Sequence, residues 1–223
     1  MTQSKTQNNG GAHSSAPRNR RIIAHGEGSA ADMIGPLRPG CEIFGLTGGQ
    51  FSFIDIMEHC LAFTGPAHCV VATWTAAGAS IKKAARFARD GRVLSCRWLV
   101  DRSFRVRQPE LCGMLVDAFG DECIRTASSH AKFMLIHNEL WNLAIRTSMN
   151  LNQNPRIEDF EISDDRSLCK FVLDLTDRVF ADTTNVAGFS TKNETSKIVK
   201  HFERAELCQG KIQLNGTRIK LNA

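Results

Sequence analysis

Between Pro39 and Ala127 the sequence alternates short apolar runs with longer stretches whose apolar residues recur every three or four positions. Short apolar runs bounded by turn residues predict strands, whereas a period near 3.6 residues predicts helices. We therefore expect, in order, strand 41–46, helix 53–63, strand 69–73, helix 77–90, strand 93–100, helix 109–119 and strand 124–127. An order in which helices separate successive strands is typical of α/β proteins.

The second half of the pattern has consecutive strands. We predict strands at 131–136 and 143–148 on either side of a bend, and another at 159–162. A long amphipathic helix over 166–180 follows the capping residues Ser163-Asp164-Asp165. Separated strands followed by consecutive ones predict an α/β sandwich with a mixed sheet flanked by helices.

Composition divides the chain into three parts. Residues 1–37, rich in Gln, Asn, Gly and Ser, are predicted to form a disordered basic arm, 38–182 the folded domain, and 183–223 a tail with a basic helix and a hairpin. Residues 1–40 carry five Lys or Arg against two Asp or Glu, and 183–223 carry seven against three. This basic excess at both ends permits contact with a polyanion.

The cysteines and the polar N-terminus bear on the compartment. Eight cysteines occur, but no C-x-x-C pair, and most lie in apolar surroundings. This favours buried, reduced thiols over a disulfide framework or a metal site. No apolar run approaches the roughly 20 residues that span a bilayer, and the N-terminus lacks the pattern of a secretory signal. We expect a cytoplasmic protein with no membrane partner.

The polar residues with the strongest claim to chemistry lie around two of the predicted strands. His130 and Lys132 have equal parity and share a face if residues 131–136 form a strand, and Ser148 and Asn150 do the same at the end of the next. An imidazole, an ammonium, a hydroxyl and an amide suit a phosphodiester, since three of them can donate to phosphate oxygens. Glu158 can accept the other ring N–H of His130 and fix its tautomer. No metal or other cofactor is needed.

These stretches, His130-Ala-Lys132, then Ser148-Met-Asn150, then Glu158, resemble the signature of the phospholipase D superfamily. The resemblance extends more loosely over about residues 38–182. It implies a phospholipase D-like fold, with His130 as nucleophile or general acid, with Lys132, Ser148 and Asn150 as phosphate ligands, and with Glu158 orienting His130. The implied activity is a metal-independent phosphodiesterase, namely a nuclease acting on DNA or RNA through a phosphohistidine.

One motif supplies one imidazole, whereas the implied two-step mechanism uses two. The resemblance is therefore to single-motif nucleases, and it implies a homodimer in which His130 of each subunit meets at a two-fold axis. We expect the interface along the two motif strands, near the bend at 137–141.

Two departures from the family pattern leave alternatives open. His137 stands where the family usually has Asp, and Thr147 replaces the Gly before Ser148. The main alternative is a catalytically weak or inactive protein with a nucleic-acid-binding or regulatory role. The Ser-x-Asn pair also suits a turn in which both side chains cap the local backbone.

Overall fold

The computed structural model describes residues 20–23 and 28–181, which form an eight-stranded mixed sheet with helices on both faces. The strands are β1 (Arg20–Ile23), β2 (Glu42–Thr47), β3 (Ala67–Thr73), β4 (Val93–Asp101), β5 (Ile124–Ala127), β6 (Phe133–His137), β7 (Asn142–Thr147) and β8 (Glu158–Asp164). The helices are α1 (Ala30–Ile34), α2 (Phe53–Thr64), α3 (Gly78–Arg89), α4 (Phe104–Arg107), α5 (Pro109–Phe119) and α6 (Arg166–Ala181). The predicted fold class is confirmed.

Strand direction brings distant segments to one edge of the sheet. The strand order is β1-β2-β8-β7-β6-β3-β4-β5, with β3, β4 and β5 parallel and with β6, β7 and β8 successively antiparallel. The carboxyl ends of β3, β4 and β7 therefore meet the amino ends of β6 and β8. We call this the motif edge.

Both faces of the central strands are buried. Alternate residues of β3 and β6 point to opposite sides, so Val71 and Ile136 pack with the side that α2 covers, whereas Val70 and Leu135 pack with Cys169 of α6. A strand that is buried on both faces has a continuous apolar sequence, which explains why the positions of these strands could be predicted.

The first described elements lie upstream of residue 38, within the stretch 1–37 for which a disordered arm was expected. β1 pairs in parallel with β2, and α1 begins at a capping box made by Ser29 and Asp32. Ile34 is fully buried. Residues 1–19, 24–27 and the predicted tail 183–223 lie outside the described residues.

The cysteines of the described residues are free thiols, as expected, and five of the seven are buried. Burial raises the pKa of the Cys69 thiol to about 12, and it raises the pKa of the Cys169 thiol to about 12 as well. A helix long and apolar enough to cross a bilayer does not occur within 20–23 and 28–181.

Gly45 of β2 gives a test of this packing. A Cβ built on Gly45 would lie 2.3 Å from Cζ of Phe160, its partner across the β2–β8 ladder. Because the ring is fully buried and cannot move aside, we expect Gly45→Ala to lower the free energy of unfolding by about 1–3 kcal/mol. Urea denaturation measures this difference.

Gly113→Ala is the matched control. Gly113 lies within α5, is exposed, and has open space around the position of a Cβ. Ala is the better helix former, so this variant should gain about 0.5–1 kcal/mol. Equal destabilisation of both variants would contradict the described contact between Gly45 and Phe160.

Candidate active site

His130 and Lys132 lie in the extended segment just before β6, not on the strand that was predicted to begin at residue 131. Their side chains nevertheless meet. Lys132 Nζ is 2.9 Å from His130 Nδ1 and donates to the His130 carbonyl oxygen at 2.8 Å. The ammonium therefore folds back over the imidazole, which is exposed.

The turn after β7 is built by two hydroxyl groups. Thr147 Oγ1 donates to the carbonyl oxygen of Asp159 at 2.6 Å and accepts from Met149 N at 3.0 Å. Ser148 Oγ accepts from Asp159 N at 3.0 Å and donates to the carboxylate of Glu158. Thr147, the departure from the family pattern, thus fastens the turn that carries Ser148.

Glu158 does not have the contact expected of it. We expected its carboxylate to accept from the ring N–H of His130, but its hydrogen bond is with Ser148. Burial lowers the pKa of Lys132, and the nearby Glu158 carboxylate opposes that shift. Glu158 therefore interacts with Ser148 and Lys132.

Backbone hydrogen bonds join the turn to its neighbours at the motif edge. Thr147 N donates to the Lys132 carbonyl at 3.3 Å, which continues the β6–β7 ladder past its end. Leu151 N donates to the Thr75 carbonyl at 3.2 Å, just beyond β3. The motif residues before β6 and after β7 are thereby held at the same edge.

Asn150 is half-buried, and its Oδ1 atom is buried without a hydrogen-bond partner among the described residues. Buried polar atoms are nearly always paired, so an unpaired one marks a place where a ligand or ordered water completes the bonding. The carbonyl and amino ends of an amide occupy nearly the same space, so this side chain can present a donor or an acceptor there.

Trp74 was not among the residues predicted for the site. It is half-buried at the carboxyl end of β3, with its ring centroid 5.4 Å from that of His130. Arg107 of α4 covers the same indole at 3.9 Å. The place of Trp74 in the chain could have indicated a role in the site. In an open α/β sheet, ligands usually bind beyond the carboxyl ends of the strands, and Trp74 comes directly after such a strand. Trp141, in contrast, is 8% exposed and belongs to the core.

His137, where the family usually has Asp, lies at the opposite end of β6. Five residues of extended chain separate it from Lys132, about 16 Å. Its ring is 5.6 Å from that of His68, on a part of the surface that includes Arg97. The substitution therefore touches none of the motif side chains.

As a set, the motif edge offers donors to an anion: an ammonium, a hydroxyl and an amide, with an imidazole beside them. Such donors can hold the non-bridging oxygens of a phosphate. Groups of three His, Cys, Asp or Glu that could hold a metal ion do not occur in the described part of the chain.

The surroundings of His137 predict a pH dependence of stability. Burial lowers its pKa, and His68 and Arg97 lower it further, against the opposing effect of Asp177. The folded protein disfavours the charged imidazole, so the unfolded chain binds more protons and stability falls as the pH drops through 6.5. We expect a lower free energy of unfolding at about pH 5.5 than at about pH 8 by urea denaturation.

His137→Gln should flatten part of this fall. His59 has a pKa lowered by burial and contributes with the same sign, so some dependence remains. An unchanged pH profile in His137→Gln would show that this ring does not carry the effect.

Comparisons with known proteins complete the description of the site. No protein-family model and no curated protein sequence matches this chain. Similar solved structures include the phospholipase D family member Nuc from Salmonella typhimurium, 14% identical over 51% of this chain and 78% of Nuc, with a TM-score of 0.40. NucT from Helicobacter pylori is 12% identical over 57% of this chain and 88% of its own, with a TM-score of 0.46.

Polyphosphate kinase from Porphyromonas gingivalis is also similar, at 14% identity and a TM-score of 0.47. The match covers 73% of this chain but only 30% of the kinase. The structures similar to this chain therefore include one described as a member of the family that the motif resembles.

Proposed function

We propose that this protein is a metal-independent phosphodiesterase that cleaves nucleic acid, with His130 as the attacking group. The observation that carries the proposal is the contact between the Lys132 ammonium and the exposed imidazole of His130. A cation and a nucleophile at one solvent-exposed position can bind a phosphate and place it for attack.

The side chains divide the work as follows. A phosphate oxygen draws the Lys132 ammonium from the imidazole, which frees a ring nitrogen to attack phosphorus. The Ser148 hydroxyl exchanges its hydrogen bond to Glu158 for one to a non-bridging oxygen, and Asn150 donates to another, so that their charge is held through the transition state. The new phosphorus–nitrogen bond forms as the bond to the leaving oxygen breaks, and a second imidazole gives that oxygen its proton. Water then releases the phosphate from His130.

The charge around the site favours nucleic acid as the substrate. Arg102 precedes α4, Arg107 lies on it, and both are exposed. Arg107 reaches the site through Trp74, whose indole contacts both Arg107 and His130. Exposed cations beside a phosphate site suit a polymer that presents a phosphate at every residue.

Binding without turnover is the second candidate function. The observation that favours it is the Lys132–His130 contact itself, because an ammonium can only donate and therefore occupies the ring nitrogen that accepts it. A protein that keeps this contact in the presence of phosphate would bind a nucleic acid strand and leave it intact.

A homodimer supplies the second imidazole of the proposal. β6 and β7 are covered on both faces, and the bend at 137–141 is at the opposite end of these strands from His130. We therefore no longer propose an interface along the strands near this bend. The two subunits should meet at the motif edge, so that both copies of His130 face one phosphate.

Turnover is predicted to depend on His130 and to survive metal removal. His130→Asn should abolish hydrolysis of a chromogenic phosphodiester and of a labelled single-stranded oligonucleotide in excess EDTA. Lys132→Ala should lose about 10²- to 10³-fold in kcat, as expected for an oxyanion donor.

His68→Asn is the control, since this histidine is exposed at the edge opposite the motif edge and is hydrogen-bonded to Ser95. It should keep wild-type activity. Undiminished turnover in His130→Asn would remove His130 from the chemistry, and loss of activity in EDTA with recovery on adding Mg²⁺ would exclude the metal-independent route. Retained oligonucleotide binding without turnover by the wild type would favour the second candidate.

Subunit mixing tests the dimer. When His130→Asn subunits are mixed with wild type and allowed to exchange, mixed dimers hold one working imidazole. Activity should therefore fall faster than the fraction of wild-type subunits, and sedimentation should give twice the chain mass. A monomer that retains full activity would contradict this assembly.

A further inference from the structure

The orientation of His130 requires a physical cause, because Glu158 is bonded to Ser148 and not to the imidazole. The imidazole contacts the Lys132 ammonium and the Trp74 indole. Lys132 must leave the ring in order to bind phosphate. Trp74, in contrast, holds no polar group that the proposed reaction uses, so its contact can persist while the phosphate is bound.

Trp74 is held in place by Arg107. The guanidinium carbon lies 3.9 Å from the centroid of the indole ring, a close cation–π contact. Arg107 also donates to the Trp74 carbonyl oxygen at 2.9 Å and, through Nε, to Ser103 Oγ at 2.9 Å. The arginine thus contacts both the ring and the backbone of Trp74. The indole also contacts the imidazole of His130.

Asp101 fastens both ends of this arrangement. One oxygen of its buried carboxylate accepts from Ser103 N at 2.8 Å and from the Ser103 hydroxyl. The other accepts from Ser129 N at 3.2 Å, next to His130 in the chain. The contacts close a ring that runs from His130 through Trp74, Arg107, Ser103 and Asp101 back to the backbone before His130.

We propose that Trp74, clamped by Arg107, is a positioning residue that holds the His130 imidazole in line with the phosphate. An exposed histidine on an extended segment otherwise samples several rotamers. Contact with a fixed indole, tilted by 52° from the imidazole plane, restricts that freedom before the substrate arrives. Displacement of a reacting group by about 1 Å can cost about 10²-fold in rate. This inference rests on the proposed catalytic role of His130.

Kinetics of paired variants test the positioning role. With a small chromogenic phosphodiester, Trp74→Ala should lower kcat about 10- to 100-fold. KM should stay within about two-fold, because the phosphate ligands are untouched. Trp74→Phe keeps an aromatic face and should restore most of kcat, and Arg107→Ala should lower kcat with the same unchanged KM.

Arg105→Ala is the matched control for Arg107→Ala. It removes the same charge from the same helical turn, whereas the contacts with the Trp74 ring and carbonyl described above are made by Arg107. It should keep the wild-type kcat. Equal losses in the two arginine variants, a rise in KM without a fall in kcat, or a full kcat in Trp74→Ala would each overturn the proposal.

A second measurement does not depend on turnover. The ring protons of His130, assigned by their absence in His130→Asn, should carry a ring-current shift from the indole. They should move toward ordinary histidine positions in Trp74→Ala and stay shifted in Trp74→Phe. Resonances that do not move in Trp74→Ala would overturn the contact between the indole and His130 even if the wild type proved inactive. A wild type without turnover but with these shifts would instead refute the proposed function and leave the indole as the group that fixes His130.

Discussion

The backbone pairing of β6 with β3 on one side and β7 on the other determines where the candidate site forms. Phe133 lies opposite Ala72 and opposite Arg146, so the residues just before β6 fall beside the ends of both neighbours. A slip of one residue in either ladder would turn buried residues toward the wrong face, which fixes the register strongly. The placement of His130 and Lys132 is therefore a consequence of buried strands.

Because of this strand pairing, the residues that stabilise the sheet and the residues of the candidate site lie in different places. The apolar residues of β3, β6 and β7 lie within the sheet, whereas the motif side chains follow or precede the strands and are exposed or half-buried. Polar groups at this edge do not have to be buried, so they are open to a ligand. The hydroxyl groups of Thr147 and Ser148 still have structural partners, which link the turn to β8 and hold it in place for binding.

Sequence reasoning predicted the elements with strong periodicity and clear stops. The helix over 109–119 was predicted with its observed bounds, since Pro109 suits the first turn and Gly120 ends it. Arg20–Ile23 was missed, because two arginines and two isoleucines show no alternation and the strand exists through its pairing with β2. α1 was missed because five residues are too few for a helical period to be read.

The sequence proposes residues for the site, but it does not predict their contacts. The motif named the five polar residues, but spacing along the chain cannot decide whether Glu158 reaches His130 or Ser148, since both lie at the motif edge. Trp74 and Arg107 are far from His130 in sequence, and their contacts depend on the carboxyl ends of β3 and β4 meeting the segment before β6.

The central claim is that this edge binds a phosphate next to His130. The most direct measurement is a crystal structure of the protein soaked with tungstate, a phosphate mimic of high scattering power. The account predicts one anion at the motif edge, bonded to Lys132, Ser148 and Asn150, with the His130 imidazole in line with the metal atom. A Lys132 that stays on His130 while the anion binds elsewhere, or an empty motif edge at saturating tungstate, would contradict it.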